Sequence, residues 1–457
     1  MTFFWVALGT SSAVTLLAGM VLVFTRPLIQ RLWRKAIRII ETDPYSMNLW
    51  EMVSLARRIH PQIIVENGMR AESGVLVKRP LGSPKPMPHF QGLMFLPSQM
   101  ADLPTKEKIQ VDTRTVIGPC AKRPLELDIP LMITGMAYGL AVSERLKIAL
   151  AKGASMAGTA TNSGEGPFLP EERHYADKMV IQYSRAKWAK DPEILKQADM
   201  IEIHIGQGSS GPAPSQVPSI HLKGRAMQLM GLSPGDTAEI HSRMPGVTRK
   251  HDWRKLVDKL RRLTDGVPIG MKMIPGRIEE DLEIAIYAGV DFITLDGAQA
   301  ATKGTPPILQ DDFGLPTVIG LCRAVEFLEK KKKKDEVSII VSGGLSTPGD
   351  FLKALALGAD AVALGSIVLF AASHLQGSQK ALPWEPPTEV VWYDADLSEQ
   401  LDVEKAAKYV KQLLQSSVEE MKLATIALGK TRLQDVDKQD LVAMDQVSAD
   451  IAQVPLM

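Results

Sequence analysis

The chain has few cysteines and almost no net charge, and each shortage excludes a class of protein. Its 457 residues include only Cys120 and Cys322, so neither a disulfide framework nor a cluster held by several cysteines can form. The 53 basic and 52 acidic residues leave a formal charge of +1. We predict no nucleic-acid partner, because phosphate contacts need a basic excess, and we predict no metal site.

Charge is also absent from the first stretch of the chain. Residues 3–24, FFWVALGTSSAVTLLAGMVLVF, contain no charged residue, and about 20 apolar residues can span a bilayer core. The basic residues that follow are Arg26, Arg31, Arg34, Lys35 and Arg38. Since positive charge favours the cytoplasmic side, we predict a single-pass membrane protein anchored through residues 3–24, with its large C-terminal part in the cytoplasm. A buried terminal helix is the competing interpretation.

The rest of the chain divides by composition. We predict a transmembrane anchor at 1–25, a basic helical connector with a Pro-rich arm at 26–90, a barrel at 91–375, and a C-terminal crossing with helices at 376–457. The arm reads KRPLGSPKPMPH, and its prolines disfavour a helix. The last segment contains a predicted helix over Val403–Leu428, which we expect to pack on the barrel.

Eight apolar strands alternate with helical stretches in the third segment. Continuous apolar strands are buried on both faces, which indicates a parallel sheet, and eight β/α units predict a TIM barrel. A doubly wound sheet is the alternative, disfavoured because no G-x-G-x-x-G turn follows the first strand. The predicted fold is therefore α/β, a TIM (β/α)8 barrel with an N-terminal transmembrane helix and a C-terminal helical appendix. The predicted strands are Pro130–Gly135, Gly158–Asn162, Met179–Ser184, Met200–Gly206, Pro268–Ile274, Asp291–Gly297, Val337–Gly344 and Ala361–Ser366.

The carboxyl ends of barrel strands share one face, where the active sites of this fold lie. The loops after the seventh and eighth strands often bind phosphate there, because glycines let backbone N–H groups approach and a helix N-terminus adds positive potential. The sequences VSGGLSTPGD and ALGS have this form. We predict phosphate contacts from Ser342, Gly343, Gly344, Gly365 and Ser366.

Lys272 lies inside an otherwise apolar strand, and lysine is rarely buried without a reason. One explanation is a structural pair with a carboxylate, for which Asp296 is the candidate. The other is a cation that faces an electron-rich cofactor or an anionic substrate, which the shared rim favours. Polar residues at other strand ends, Asn162, Glu165 and Gln207, predict a polar mouth of the kind that a flavin-sized ligand requires.

The motifs around these strand ends are long and specific. They include MITGMAYGLAVSERLKIALAKGASMAGTATNSGEGPFLPEE, IEIHIGQG, GMKMIPGRIEEDLEIAIYAGVDFITLDG and VSIIVSGGLSTPGDFLKALALGADAVALGS. In order and spacing they resemble the FMN-binding glutamate synthase domain, and most of all its stand-alone relatives, which include the flavin subunit of methylglutamate synthase. The resemblance covers residues 91–372.

This resemblance implies FMN in the barrel mouth and an oxidoreductase that transfers hydride from reduced FMN to an imino acid, as glutamate synthases do with 2-iminoglutarate. It implies that Lys272 stabilises negative charge on the reduced flavin, and we expect catalytic roles for Lys272, Gln207 and Glu165. The predicted cofactor-binding residues, from the resemblance and the strand ends together, are Gly135, Met136, Asn162, Gln182, Gln207, Lys272, Asp296, Ser342, Gly343, Gly344, Gly365 and Ser366.

Three departures from the family pattern affect the prediction. No glutaminase domain with its nucleophilic cysteine is seen, so we expect no ammonia to be made in this chain. No cysteine follows Cys322, so the family's iron–sulfur cluster cannot form, and electrons must come from a soluble donor, a partner subunit or the membrane. The strand-four loop is EIHIGQGSSGPAPS, with His204 and Ser210 where the family has lysines. The loop after strand six, DGAQAATKGTPP, also departs, and both loops should border the substrate.

Two other functions remain open alongside a glutamate synthase-type enzyme with a small-molecule substrate. A flavin enzyme acting on a 2-hydroxy acid would use a histidine base beside an arginine clamp late in the barrel, and the first histidine after strand six is His374. A flavin-binding subunit without catalysis is compatible with the altered loops.

Overall fold

The computed structural model describes residues 2–106, 108–222, 224–382 and 384–457. These residues form two compact units, Met1–Val77 and Lys78–Met457.

The first unit is helical. Its long first helix ends where the Asn48 side-chain amide donates to the carbonyl oxygens of Ile39 and Ile40, at 2.8 and 2.7 Å, which satisfies two carbonyls of the final turns. The last helix begins with Pro61 and ends at Gly74, whose φ of +63° closes it in the left-handed region. The helices are α1 (Thr2–Thr42), α2 (Trp50–Arg58) and α3 (Pro61–Ser73), with a 3-10 turn at Tyr45–Met47.

The predicted membrane anchor is contradicted. Within the described residues, the structure contains no helix with the length and apolar character needed to cross a membrane. The apolar run at residues 3–24 is one part of α1, which continues as a single helix through the basic residues to Thr42. The single-pass placement is therefore wrong, and the cytoplasmic assignment that depended on it loses its basis. The side chains of residues 1–18, 21 and 22 lie outside the described part of the chain.

Eight parallel strands form a nearly closed barrel in the second unit. Hydrogen-bonded neighbours follow the order β1-β8-β7-β6-β5-β4-β3-β2, and the Ile133 N–H donates to the Ala160 carbonyl at 3.0 Å across the remaining seam. The TIM-barrel prediction is confirmed, and every strand is shorter than predicted, in most cases because terminal glycines or prolines lie outside the strand. The strands are β1 (Leu131–Ile133), β2 (Thr161–Asn162), β3 (Met179–Tyr183), β4 (Met200–His204), β5 (Ile269–Met273), β6 (Phe292–Asp296), β7 (Ser338–Ser342) and β8 (Ala361–Leu364).

Helices surround the strands, and one C-terminal helix packs on the first of them. The N-terminus of α4 is capped by the Ser143 hydroxyl, which accepts from the Leu146 N–H at 3.3 Å. Gly153 of α4 lets α15 approach, since a Cβ there would lie 2.7 Å from the Val410 Cβ. The helices are α4 (Glu144–Met156), α5 (Pro170–Tyr175), α6 (Pro192–Leu195), α7 (Gly224–Leu229), α8 (Lys250–Leu263), α9 (Ile278–Ala288), α10 (Pro307–Asp311), α11 (Thr317–Lys330), α12 (Pro348–Ala356), α13 (Ser366–Ala372), α14 (Gln376–Lys380), α15 (Val403–Ala427) and α16 (Gln446–Ala452).

Three short antiparallel pairs complete the unit. One of them closes the amino-terminal end of the barrel, because Ile117, Leu125 and Leu127 pack in one apolar cluster with barrel residues that include Met132 and Phe292. The open end of the barrel is therefore the carboxyl end of the strands. The pairs are Thr115–Ile117 with Leu125–Leu127, Leu93–Phe95 with Leu441–Ala443, and Ser215–Pro218 with Thr237–Ile240.

Candidate active site

The carboxyl ends of the eight strands open into one mouth. Every residue predicted for the site lies within a barrel strand or within three residues after its last residue. The topology therefore brings the predicted residues to one rim, although they are spread along more than half of the sequence. In chain order they are Gly135 and Met136 after β1, Asn162 and Glu165 at β2, Gln182 on β3, Gln207 after β4, Lys272 on β5, Asp296 on β6, Ser342, Gly343 and Gly344 at β7, and Gly365 and Ser366 after β8.

Lys272 is 1% exposed and is held from two sides. Its Nζ lies 3.2 Å from Asp296 Oδ2 and donates to the Thr134 hydroxyl at 3.4 Å. Burial tends to lower the pKa of Lys272, but the carboxylates of Asp296 and Glu202 outweigh burial and raise it. The structural pair with Asp296 is therefore present. Because an ammonium has three hydrogens, one N–H has no partner among the described residues.

Glu202, on β4, binds three of its neighbours from inside the barrel. Its Oε1 accepts from Asn162 Nδ2 at 3.0 Å and from Gln182 Nε2 at 2.7 Å, and its Oε2 accepts from the Thr294 hydroxyl at 2.6 Å. Glu202 is buried, and the hydrogen bonds fix the side chains of two predicted cofactor-binding residues. The backbone of Gly135 passes directly above them, since a Cβ at this position would lie 2.7 Å from Gln182 Nε2.

The turns after β7 and β8 adjoin each other, because the two strands are paired. Gly343 and Gly344 have backbone φ angles of +104° and +81°, a region that residues other than glycine rarely adopt. The Gly343 carbonyl accepts from the Thr317 hydroxyl at 2.6 Å, and the Gly344 carbonyl lies 3.1 Å from His89 Nε2. Helices α12 and α13 begin next to these turns, and helix N-termini favour anions.

His204 stands where the family pattern has a lysine, and it is fully buried. Its Nε2 lies 3.2 Å from Gln207 Oε1, and its Nδ1 lies 3.3 Å from Glu165 Oε2. Burial lowers the pKa of His204 well below its ordinary value of 6.5, and the cations Lys272 and Arg185 lower it further. Burial raises the pKa of Glu165, although the same two cations oppose it. Burial thus favours the neutral form of the His204 imidazole and the uncharged form of the Glu165 carboxyl group.

Buried polar atoms without partners are concentrated at the mouth. In the described part of the chain five buried side-chain atoms lack a hydrogen-bond partner, and four of them are Glu165 Oε2, Arg185 Nε, His204 Nδ1 and Asp296 Oδ1. Each such atom costs about 1–3 kcal/mol when it stays unsatisfied, and native proteins contain few of them. Four in one place are typical of a ligand site.

The loops after β4 and β6, which depart from the family pattern, are hydrogen-bonded to each other. The Gly208 N–H donates to Asp296 Oδ2 at 3.2 Å, and the Thr302 hydroxyl donates to the Gly208 carbonyl at 2.9 Å. Gln207 Nε2 in turn donates to the Thr302 hydroxyl at 3.1 Å. The loops after β4 and β6 therefore form one side of the mouth as a unit.

The long connection between β4 and β5 covers another side. Arg185, just after β3, donates to the Pro212 carbonyl at 2.6 Å and so secures the start of this connection. Arg225, on α7, pairs with Glu144 at 2.9 Å and with Glu171 at 2.6 Å, which ties the connection to the elements that follow β1 and β2.

The Pro-rich arm lies along the loop after β6. The Arg79 N–H donates to the Thr305 carbonyl at 3.0 Å, and the Gly304 N–H donates to the Arg79 carbonyl at 3.0 Å. The Arg79 guanidinium pairs with Asp311 at 2.6 Å, and Gln299 Nε2 donates to the Pro88 carbonyl at 2.7 Å. The arm is thus part of the wall on the β6 side.

Several residues of the site were not predicted from the sequence. Glu202 carried a signal, since an acid between Ile201 and Ile203 in a buried strand is as unusual as Lys272. Arg185 and Thr302 carried none, because each stands in a loop whose course depends on tertiary contacts.

Comparison with known proteins matches the chain to the glutamate synthase family. Residues 89–431 match the family model described as the conserved region in glutamate synthase. A glutamate synthase large subunit-like protein of Rhizobium meliloti (strain 1021) is 32% identical over 404 residues, which cover 84% of this chain and 91% of that protein. An archaeal-type glutamate synthase (NADPH) of Dehalococcoides mccartyi is 27% identical over 403 residues, 82% of this chain and 79% of that protein.

Among solved structures, a mutant flavocytochrome b2 with benzoylformate has a TM-score of 0.51 and 16% identity, and the match covers 79% of this chain and 80% of that one. At this identity the likeness is one of fold.

Proposed function

The chain belongs to the glutamate synthase family, and from this membership we propose that it is an FMN-dependent oxidoreductase of the glutamate synthase type. The proposed reaction is hydride transfer between FMN and the carbon of an imino or amino acid, with 2-iminoglutarate and glutamate as the reference pair. The observation that supports it most is the buried Lys272 at a mouth where four other buried atoms lack hydrogen-bond partners among the described residues.

The residues of the mouth suit FMN. The glycine turn at Gly343 and Gly344, the turn at Gly365 and Ser366, and the starts of α12 and α13 would hold the phosphate through backbone N–H groups. A Cβ placed on Gly365 would meet the Thr134 methyl at 3.2 Å and no other described atom within 4 Å, its chain neighbours aside. The backbone at Gly365 is therefore open to close approach by a ligand.

When bound, FMN would supply the hydride chemistry, which no amino-acid side chain provides. Lys272 would hold a positive charge next to the ring system and stabilise negative charge that develops there. Asn162 and Gln182, fixed by Glu202, would orient the ring through their amides. Gln207 and Glu165 would face the substrate.

The reaction can be tested on the purified full chain. Bound flavin is released by denaturation and identified by chromatography, and the holoprotein is then reduced with dithionite without oxygen and mixed with 2-oxoglutarate and ammonium. We expect FMN, and we expect flavin reoxidation only when both compounds are present, because the imino acid forms from the two. A protein that binds no FMN after reconstitution, or a reduced flavin that the mixture does not reoxidise, would refute the proposal.

A matched pair of variants tests the phosphate turn. Gly344→Ala places a Cβ at a φ of +81° and 2.6 Å from Gln299 Cβ, and it should weaken FMN binding at least tenfold. Gly289→Ala has nearly the same strain, with a φ of +80°, but lies at the end of α9 with open space around it. It should leave FMN affinity unchanged. Equal losses in both variants would mean that backbone strain alone explains the effect.

The electron donor is tested in the same system. Six matched relatives carry NADPH in their names, so NADPH is the first donor to try, alone and with a candidate partner subunit. Direct flavin reduction by NADPH would show that the chain needs no partner for this step.

A further inference from the structure

A series of side-chain hydrogen bonds links the loop after β6 to the mouth, and the donors and acceptors along it follow one consistent direction. The Thr302 hydroxyl donates to the Gly208 carbonyl at 2.9 Å, so its oxygen accepts from Gln207 Nε2 at 3.1 Å. With its amide nitrogen used there, Gln207 presents its carbonyl oxygen to His204 Nε2, 3.2 Å away. Because a carbonyl oxygen only accepts, His204 Nε2 must carry a hydrogen.

This direction determines what His204 presents to Glu165. A neutral imidazole has one donor and one acceptor nitrogen, so Nδ1 holds a lone pair. It lies 3.3 Å from Glu165 Oε2, slightly beyond the usual N–H···O range. Neither atom has a hydrogen-bond partner among the residues that the structure describes, so the contact between them is so far only a close approach. Two acceptors do not stay this close in a buried site unless a proton lies between them.

We propose that Glu165 and His204 share one proton, which resides on Glu165. His204 is then the positioning residue that keeps Glu165 an uncharged carboxylic acid at the mouth. Glu165 Oε2–H donates to His204 Nδ1. The direction of that hydrogen bond is set by Thr302, at the other end of the series of hydrogen bonds.

Burial and the charge balance of the wider cluster favour this placement, although the two cations nearest the pair favour an ionised Glu165. The charged groups that act on the pair are Arg185 after β3 and Lys272 on β5, and Lys272 in turn interacts with Glu202 on β4 and Asp296 at the end of β6. These are two positive and two negative groups, so an uncharged pair leaves the cluster neutral, whereas an ionised Glu165 adds an uncompensated negative charge. Burial acts in the same direction, since it disfavours both a carboxylate and an imidazolium.

The arrangement has a consequence for the substrate, which rests on the proposed function. An uncharged Glu165 does not repel a carboxylate-bearing substrate, and the buried Nε–H of Arg185 has no partner in the described part of the chain and supplies a donor for such a group. Above the pKa of Glu165, binding of a carboxylate must be accompanied by uptake of one proton. Its affinity should then fall about tenfold for each pH unit.

The first test does not depend on turnover or on a bound flavin. In 15N-histidine-labelled protein, the resonances of His204, assigned by their loss in His204→Gln, should show a neutral ring with hydrogen on Nε2 at neutral pH. Infrared spectra should show a protonated-carboxyl band that disappears in Glu165→Gln. An imidazolium at neutral pH, or a neutral ring with hydrogen on Nδ1, would overturn the proposal.

The second test changes Thr302, at the other end of the series of hydrogen bonds, and leaves Glu165 and His204 in place. Thr302→Val removes the acceptor for Gln207 Nε2, so the amide can turn and the single tautomer of His204 should become a mixture. Thr302→Ser keeps the hydroxyl and should leave the tautomer unchanged. No difference between the two variants would contradict a direction set by Thr302.

The third test concerns binding. The dissociation constant of 2-oxoglutarate, measured by calorimetry over a pH series, should rise with pH in the native protein and stay constant in Glu165→Gln. A native protein whose affinity ignores pH, with the carboxyl band present, would refute the binding consequence but not the shared proton.

Discussion

The pair of Lys272 and Asp296 allows the structural and the cofactor role of the lysine to be separated. Their charged atoms are 3.2 Å apart, and the side chains are 2% and 6% exposed. At this distance the attraction is about 5 kcal/mol for an effective dielectric of about 20, and removing one partner of a buried pair costs about 3–5 kcal/mol. Lys272→Met and Asp296→Asn should each lower the free energy of unfolding by about 3–5 kcal/mol.

The double variant should be more stable than Lys272→Met. It leaves no uncompensated charge in the pair, so its loss should be about 1–2 kcal/mol. Urea denaturation of the flavin-free proteins, followed by circular dichroism, measures all three losses. If the double variant is no more stable than Lys272→Met, the buried charge of Asp296 is not the cause of the destabilisation.

FMN affinity distinguishes the two roles. A hydrogen bond from a charged donor contributes about 1.5–3 kcal/mol, so Lys272→Met and the double variant should both bind FMN about 10- to 100-fold more weakly. Asp296→Asn keeps the lysine and should stay within a few-fold of the native value. Fluorescence quenching of FMN on titration gives the constants. A double variant that binds FMN as tightly as the native protein would show that Lys272 serves only the ion pair.

Three further predictions follow from other buried groups. Glu202→Ala leaves three buried donors without an acceptor and should cost about 3–9 kcal/mol, whereas Glu202→Gln retains an acceptor oxygen and should cost less than half as much in the same denaturation assay. His204 has its pKa lowered by folding, so its contribution to stability is present above 6.5 and is lost as pH falls below that value, by up to about 1.4 kcal/mol per unit; His204→Gln should remove this slope from denaturation curves recorded at several pH values. Iodoacetamide should modify Cys120, which is exposed, but not Cys322, which is buried with its pKa raised to about 11, and mass spectrometry of native against unfolded protein checks this.

The barrel was predictable because its strands are apolar on both faces, which is a strong local pattern. The rim was predictable for the same reason, since the end of each strand fixes which residues reach the mouth. The alternation of Ile201, Glu202 and Ile203 places the glutamate within the barrel, but the sequence alone did not show that its carboxylate binds three partners.

Other features depend on contacts that local patterns do not encode. Arg185 and Thr302 gain their roles from carbonyl groups in distant loops, so no spacing in the sequence marks them. The apolar N-terminal run and the basic residues after it were interpreted as a membrane anchor with its cytoplasmic flank, whereas they form one continuous helix that ends at Thr42. His204 was noticed as a departure from the family pattern, yet its neutral state follows only from its burial and its neighbours.

The Pro-rich arm determines where a truncated form of this protein can begin. The family match begins at residue 89, and a truncation there would look natural from sequence alone. It would remove the backbone partners of Thr305 and Gly304 and the cation that pairs with Asp311. A shortened protein for expression or crystallisation should therefore start no later than Lys78, where the second compact unit begins.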